Sequence, residues 1–407
     1  MALWTKIEER YILFTILFFV FFRVCDAPIR FFLVKAGLGP LSSLPNILIL
    51  GILTLYLFKA ILTLRLERRV FWVVLFFGYA IITGCLFVGN IKQILLGLYG
   101  LLPVFFGAVS CGVFTNNFER LKLFIATCWL ISVIGVFLAV IISFPWVGFS
   151  YERLGMEMEG SREWASFGIT RIAGFSRTSY DAAVLIFILM IMLGVVLKRR
   201  FLIVSVFVVS GAAIVITTTK TIIGVFLLII IYLLTRKWYR LWSVLSAFLM
   251  LIMIALPLST QFAKFDLEIT TDLWMRFLLL SFEDRLINTW PEVFQLISQH
   301  GSYLLGRGIG GIGGAQSFFE KTIQNPADNL FLYLYVTFGV GAFFILYAFL
   351  KRTIILARAD DTPLNVFFFL LSLSVITFGM TANVIEAPLY GYLIGVFFMF
   401  KYQVHYA

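Results

Sequence analysis

Residues 198–237 read KRRFLIVSVFVVSGAAIVITTTKTIIGVFLLIIIYLLTRK. Two apolar runs, 201–218 and 221–235, lie between one basic cluster (Lys198, Arg199, Arg200) and another (Arg236, Lys237). Each run has about the length needed to cross roughly 30 Å of hydrocarbon at 1.5 Å per residue. Basic clusters at both outer ends of such a helical pair mark the cytoplasmic side of a membrane.

The same pattern extends in both directions. Apolar runs fall at about 11–34, 41–58, 70–89, 93–113, 121–143, 180–197, 240–257, 328–350, 364–381 and 388–400, which with the first two predicts about twelve transmembrane helices. Their length argues for helices over barrel strands, which would alternate over about ten residues. Every second connection carries the basic residues: Lys6 and Arg10; Lys59, Arg65, Arg68 and Arg69; Arg120 and Lys122; Lys351, Arg352 and Arg358; Lys401. Both termini are therefore expected in the cytoplasm.

Bulk composition agrees. The 407 residues are 61% hydrophobic and 13% charged, with a mean hydropathy of +1.01; a soluble domain carries about 25% charged residues. The net charge of +11 is dispersed over loops and reads as topology, not nucleic-acid binding. No cleavable signal peptide is expected, because the first apolar run continues past Arg23 and Asp26 to Val34 and reads as a span interrupted near its outer end. Cys25, Cys85, Cys111 and Cys128 lack paired or metal-type spacing and read as packing residues.

The fold expected is an all-α integral membrane protein, one polytopic domain over 1–407 with two long periplasmic loops, 144–179 and 258–327. The short cytoplasmic connections leave no room for an ATPase or kinase domain, so chemistry is expected on the outer face. The larger loop should contain short interfacial helices. Leu273–Phe282 is apolar but too short to span. Thr289-Trp290-Pro291-Glu292 fits a capping box, with an apolar stripe at Trp290, Val293, Phe294 and Ile297 and a stop at Gly301.

Arginines in outer loops oppose the usual charge bias and need a reason. The first loop holds Arg153, Arg162, Arg171 and Arg177; the second adds Lys264, Arg276, Arg285, Arg307 and Lys321, and Lys220 stands at the outer mouth of the eighth span. The planar guanidinium fork suits phosphate, and a diphosphate at the membrane surface fits the set. The alternative is pairing with Glu152, Glu157, Glu159, Glu163, Asp266, Asp272, Glu283 and Asp284 as solvated loop charges. The run Gly306-Arg307-Gly308-Ile309-Gly310-Gly311-Ile312-Gly313-Gly314 contains a formal G-x-G-x-x-G but follows a helix, so it is no dinucleotide motif. Its glycines suit close backbone approach to a span, or amides offered to an anion. Glu157-Met158-Glu159 is a weak metal signal, and no metal or other cofactor is expected. Candidate bases are Asp328 and His300, with Glu320 and Asp181 nearby in the chain; a carboxylate at a helix start, as at Asp181 and Asp328, also reads as a cap. His405 falls in the cytoplasmic tail, and Glu386 between the last two spans.

These loop elements resemble the bacterial O-antigen polymerase and ligase superfamily over about residues 171–345. Arg171-Ile172-Ala173-Gly174-Phe175 resembles its "R-x-x-G-x-F" ahead of a span, and Thr218-Thr219-Lys220-Thr221 stands where it often has Ser-Arg. Arg285 with Trp290, then Gly306, Gly308 and Gly310, resembles its large-loop pattern, and Asp328-Asn329-Leu330 its "H-N-x-x-L". The resemblance implies a metal-independent, GT-C-like glycosyltransferase that moves glycan from undecaprenyl diphosphate to an acceptor sugar at the periplasmic face of the inner membrane. Arg171, Lys220 and Arg285 would hold the diphosphate, with Arg177 and Arg307 beside them, and Asp328 or His300 would act as base. Ligases of the superfamily carry His where this chain has Asp328, which favours a polymerase; a ligase to lipid A core and a flippase are the alternatives. The expected partners are the lipid-linked oligosaccharide, the bilayer and a chain-length regulator, with no nucleic acid.

Overall fold

The computed structural model describes residues 2–63, 68–153, 156–166, 169–265 and 273–402. Arg65, Asp266, Asp272 and His405 lie outside the described residues, as do the side chains of Lys6, Arg68, Arg69, Arg153 and Arg276. The helices before the first loop are α1 (Ala2–Val24), α2 (Asp26–Lys35), α3 (Leu44–Thr63), α4 (Arg68–Phe87), α5 (Ile91–Asn117) and α6 (Lys122–Ile141). The first loop forms two antiparallel hairpins, β1 (Ser150–Arg153) with β2 (Met156–Glu159) and β3 (Trp164–Ser166) with β4 (Ile169–Arg171). Then come α7 (Ser179–Val196), α8 (Arg200–Ile216), α9 (Lys220–Thr235) and α10 (Tyr239–Ser259). The second loop contains α11 (Leu273–Asp284), α12 (Trp290–His300) and α13 (Gln316–Phe319). The chain ends with α14 (Leu330–Phe338), α15 (Gly341–Ala357), α16 (Pro363–Gly379) and α17 (Pro388–Met399).

The helices make this a multi-pass membrane protein. Among the described residues six helices are long and apolar enough to cross a bilayer, and the α1–α2 pair makes a seventh if counted as one span. The surfaces they leave uncovered are those of lipid-facing helices: Leu50, Leu55, Phe58 and Ile61 of α3 are each more than half exposed, an arrangement too costly in water. Among the helices expected as spans, α8, α9, α16 and α17 are apolar but only 12–17 residues long, about 18–26 Å against roughly 30 Å of hydrocarbon. The run predicted over 328–350 also breaks, at Gly339, into α14 and α15.

The chain forms two compact units. The first comprises Met1–Tyr56, Val109–Ile231 and Asp361–Leu370. In it α7 packs between α6 and α8, with Ala182 to Leu193 buried throughout, and Trp129 donates to Ser210 at 2.8 Å. The interruption expected in the first span is a bend of 87° between α1 and α2. The hairpins were not anticipated in an all-α reading; their strands are only 3–4 residues long.

The second unit comprises Leu57–Ala108, Tyr232–Asp360 and Leu371–Ala407, with α10 packed on α14 and α15. Between α11 and α12 the chain runs on through a π-turn, Arg285–Thr289. The expected capping box is therefore absent: Thr289 has helical φ −58° and ψ −46° and caps nothing, its hydroxyl lying 3.4 Å from Asp284 Oδ2. The predicted stripe does form, with Trp290, Val293, Phe294 and Ile297 buried, and Gly301 closes the helix by donating to Ile297 O.

Candidate functional site

The first unit gathers charge where α1, α2, α7 and α9 begin or end. The Arg171–Phe175 segment positions it. Gly174, at φ +62°, lies against the Gly135 backbone of α6, where a Cβ would sit 2.7 Å from the Gly135 carbonyl carbon. This lets Phe175 enter an aromatic cluster with Phe31, Phe144, Trp146 and Phe149, while its carbonyl accepts from Ala27 N at 3.1 Å. The chain then passes through Arg177 into α7. Thr178 caps that helix, accepting from Asp181 N at 3.0 Å and donating to the Asp181 carboxylate at 2.8 Å. Asp181, read as a possible cap, thus braces the cap rather than providing it.

Asp26, the first residue after the bend, pairs with Arg23 at 3.3 Å and with Arg30 through Nε. Arg30 also donates to the Tyr151 hydroxyl at 3.1 Å. Arg177 acts electrostatically on both Asp26 and Asp181. Three arginines against two aspartates leave a formal excess of one positive charge. Arg177 Nε is buried with no hydrogen-bond partner, which costs roughly 1–3 kcal/mol or more unless a ligand supplies one. Nearby in the same unit, Thr219 Oγ1 approaches Ser179 O at 3.5 Å, which puts the α8–α9 turn and Lys220 beside the start of α7. Thr218 in that turn has φ +57° and a buried hydroxyl without a partner. A β-branched residue held there is strained by about 1–3 kcal/mol, a pattern found at ligand sites.

The other first-loop arginines divide. Arg162 pairs loosely with Glu159 at 3.7 Å, both exposed, which is the solvated loop pairing. Arg162 and Arg171 also stack on Trp164, at 4.5 and 4.8 Å from the ring centre. Glu157 accepts from Ser150 Oγ at 2.9 Å, so both carboxylates of the Glu157-Met158-Glu159 element have protein partners.

In the second unit, Arg307, expected beside the diphosphate, is engaged with protein partners. It is 2% exposed and grips Glu320 with both terminal nitrogens at 2.7 Å. Its Nε and Nη1 also donate to His300 O and Gly311 O at 3.2 and 2.8 Å. Glu320 is correspondingly held below the usual carboxylate range: Arg307 and Gln316 outweigh the opposing burial. The glycine run serves close packing. Gly308, at φ +84°, meets the Gly84 backbone of α4 with no room for a side chain; Ile309 N donates to Ala80 O at 2.9 Å and Gln93 Nε2 to Gly310 O at 2.8 Å. Amides of Gly306, Arg307, Ile309, Gly311 and Gly313 donate to protein carbonyls, so these five are committed to packing.

Arg285 pairs with Asp328 at 3.0 Å and donates to Ser281 O at 2.8 Å, while its Nε is buried and unpartnered. Asp328, at φ +29°, is pushed upward by burial and by Asp284 against the lowering effect of Arg285; its side chain is still 35% exposed, so solvent keeps the shift small. The cap of α14 is Asn329, not Asp328. Asn329 accepts from Leu332 N at 3.1 Å and donates to Met253 O and Met380 O, both at 3.1 Å. Asn329 thus ties helix ends together. His300 is an exposed helix end whose carbonyl, not its ring, is used by Arg307.

Sequence reasoning missed Arg23, Asp26, Arg30 and Tyr151 as site groups, although charges inside an apolar run were a usable signal. No family model, characterised protein or solved structure matches the chain.

Proposed function

We propose that this protein is a lipid-linked glycosyltransferase, a polymerase that transfers a growing glycan from its undecaprenyl diphosphate to the hydroxyl of an acceptor sugar. The observation that carries the reading is the partly buried, net-positive Arg23–Arg30–Arg177 cluster with its unpartnered Arg177 Nε, beside the strained Thr218 and Lys220. A departing diphosphate gains negative charge in the transition state. Guanidinium groups fixed beforehand in a low-dielectric setting stabilise that state more than the ground state. The basic connections support the orientation, with the two long loops outside the cytoplasmic membrane and both termini inside. A chain-length regulator is the natural protein partner, and a ligase differs only in its acceptor.

Arg177→Ala in cells tests this. Expected are lipid-linked single units on the outer leaflet and loss of long chains, with the protein still in the membrane; chains of normal length would sink the proposal. A second reading, a flippase, draws on the broken α1–α2 span with its charged residues. It requires the single units to accumulate on the cytoplasmic leaflet instead.

A further inference from the structure

Two carboxylates stand in the arginine cluster of the first unit, and they are used differently. Asp26 is committed, because Arg23 and Arg30 between them take both of its oxygens. Asp181, one helical turn past Arg177 and half-buried, is not. Its Oδ2 accepts from the Thr178 hydroxyl at 2.8 Å. Its Oδ1 takes no hydrogen bond among the described residues. Arg177 acts on Asp181 electrostatically, yet among the described residues the two form no ion pair.

A carboxylate at the third position of a helix ordinarily closes a capping box by accepting from the backbone N–H of the cap residue. Here only half of that box is built. Asp181 N donates to Thr178 Oγ1 at 3.0 Å, but among the described residues Thr178 N makes no return bond to the carboxylate. A purely structural brace would use that second oxygen, and this one leaves it open. Other groups at the same end of α7 are also unfilled. Arg177 Nε and Thr218 Oγ1 are buried without partners, and the turn that carries Thr218 reaches Ser179 O through Thr219 at 3.5 Å. Buried polar groups are rarely left unused. A guanidinium donor, a hydroxyl and an open carboxylate oxygen together complement a sugar hydroxyl beside an anion.

We propose that Asp181 is the general base of the transfer, its Oδ1 receiving the proton of the acceptor sugar's hydroxyl while Thr178, a positioning residue, holds the carboxylate through Oδ2. This rests on the glycosyltransferase reading and deepens it within the same unit. The acceptor oxygen bonds to the anomeric carbon as the bond from that carbon to the diphosphate oxygen breaks. The electron pair of the broken bond leaves with the diphosphate, beside Arg177, and the hydroxyl proton moves to Asp181. A hydroxyl becomes strongly acidic as its oxygen bonds to carbon, so a carboxylate is base enough, as it is for the attacking water in glycoside hydrolysis.

The test is chain extension by the full-length protein in liposomes with lipid-linked repeat units, alongside binding of undecaprenyl diphosphate. Asp181→Asn keeps the size of the side chain and should lower kcat about 100-fold or more without weakening that binding. Asp181→Ala should be as slow, and added formate should restore part of its kcat by supplying the missing carboxylate; this variant decides the matter should Asp181→Asn fail to fold. Wild-type kcat in Asp181→Asn, or no response to formate in Asp181→Ala, would overturn the assignment. So would a parallel loss of diphosphate binding, which would make Asp181 a brace for Arg177. No extension by the wild type would instead overturn the glycosyltransferase reading.

Discussion

Replacing Arg307 separates a structural arginine from a ligand arginine. Its guanidinium is 2% exposed and makes four hydrogen bonds, two to Glu320 and one each to His300 O and Gly311 O. Arg307→Ala removes all four and leaves Glu320 without its cation. Breaking a buried pair from one side costs about 3–5 kcal/mol. The Glu320 side chain keeps 19% exposure, so water compensates in part and the lower end, about 3 kcal/mol, is expected. In a chain of this size that lowers the unfolding midpoint by roughly 3–4 °C. Arg307→Lys should recover little, because an ammonium cannot reproduce the two-pronged contact. Removing both charges together, as Arg307→Met with Glu320→Gln, should cost much less than the sum of the single changes. The assay is thermal unfolding in detergent alongside binding of a lipid diphosphate. An Arg307→Ala protein of wild-type stability with weakened diphosphate binding would refute the structural assignment.

Other outcomes follow from neighbouring features. Gly308→Ala combines a φ of +84° with a collision against the Gly84 backbone, so at least about 2–3 kcal/mol of stability should be lost; thermal unfolding reads this directly. Asp328→Asn should cost only about 1 kcal/mol, since the Arg285 pair is partly exposed, as thermal unfolding of the variant will show. Burial raises the Glu386 pKa, so folding favours its protonated form, a contribution complete below pH 4.5 and lost as pH rises through about 7. Glu386→Gln should therefore be more stable than wild type at pH 8, by about 1–3 kcal/mol, and equal to it near pH 4, as unfolding midpoints at the two pH values will show.

The sequence was most legible where composition dominates. Apolar runs bounded by basic clusters became helices at 122–141, 179–196 and 239–259, and Arg23 with Asp26 marked the break in the first span. What depends on distant partners was hidden. Nothing local reveals that Ala80 O and Val336 O take the Ile309 and Arg307 amides, so close packing and amides offered to an anion were equally open readings of that run. The Thr289 signature was overridden because the preceding helix continues through a π-turn into α12. Asp328 and Asn329 are adjacent and both can cap; the extended φ of −165° at Asn329 gave it the cap. Arg307 could not be told from Arg177 by residue type. Their difference lies in Glu320, which neutralises one, and in the buried Nε that the other leaves unpaired.

The most direct measurement is extension of purified lipid-linked repeat units by the reconstituted protein, with Arg177→Ala compared in parallel. The account predicts a ladder of lipid-linked polymer from the wild type, and little or none from a variant that remains folded. Products limited to single units in both, or equal ladders from both, would contradict it.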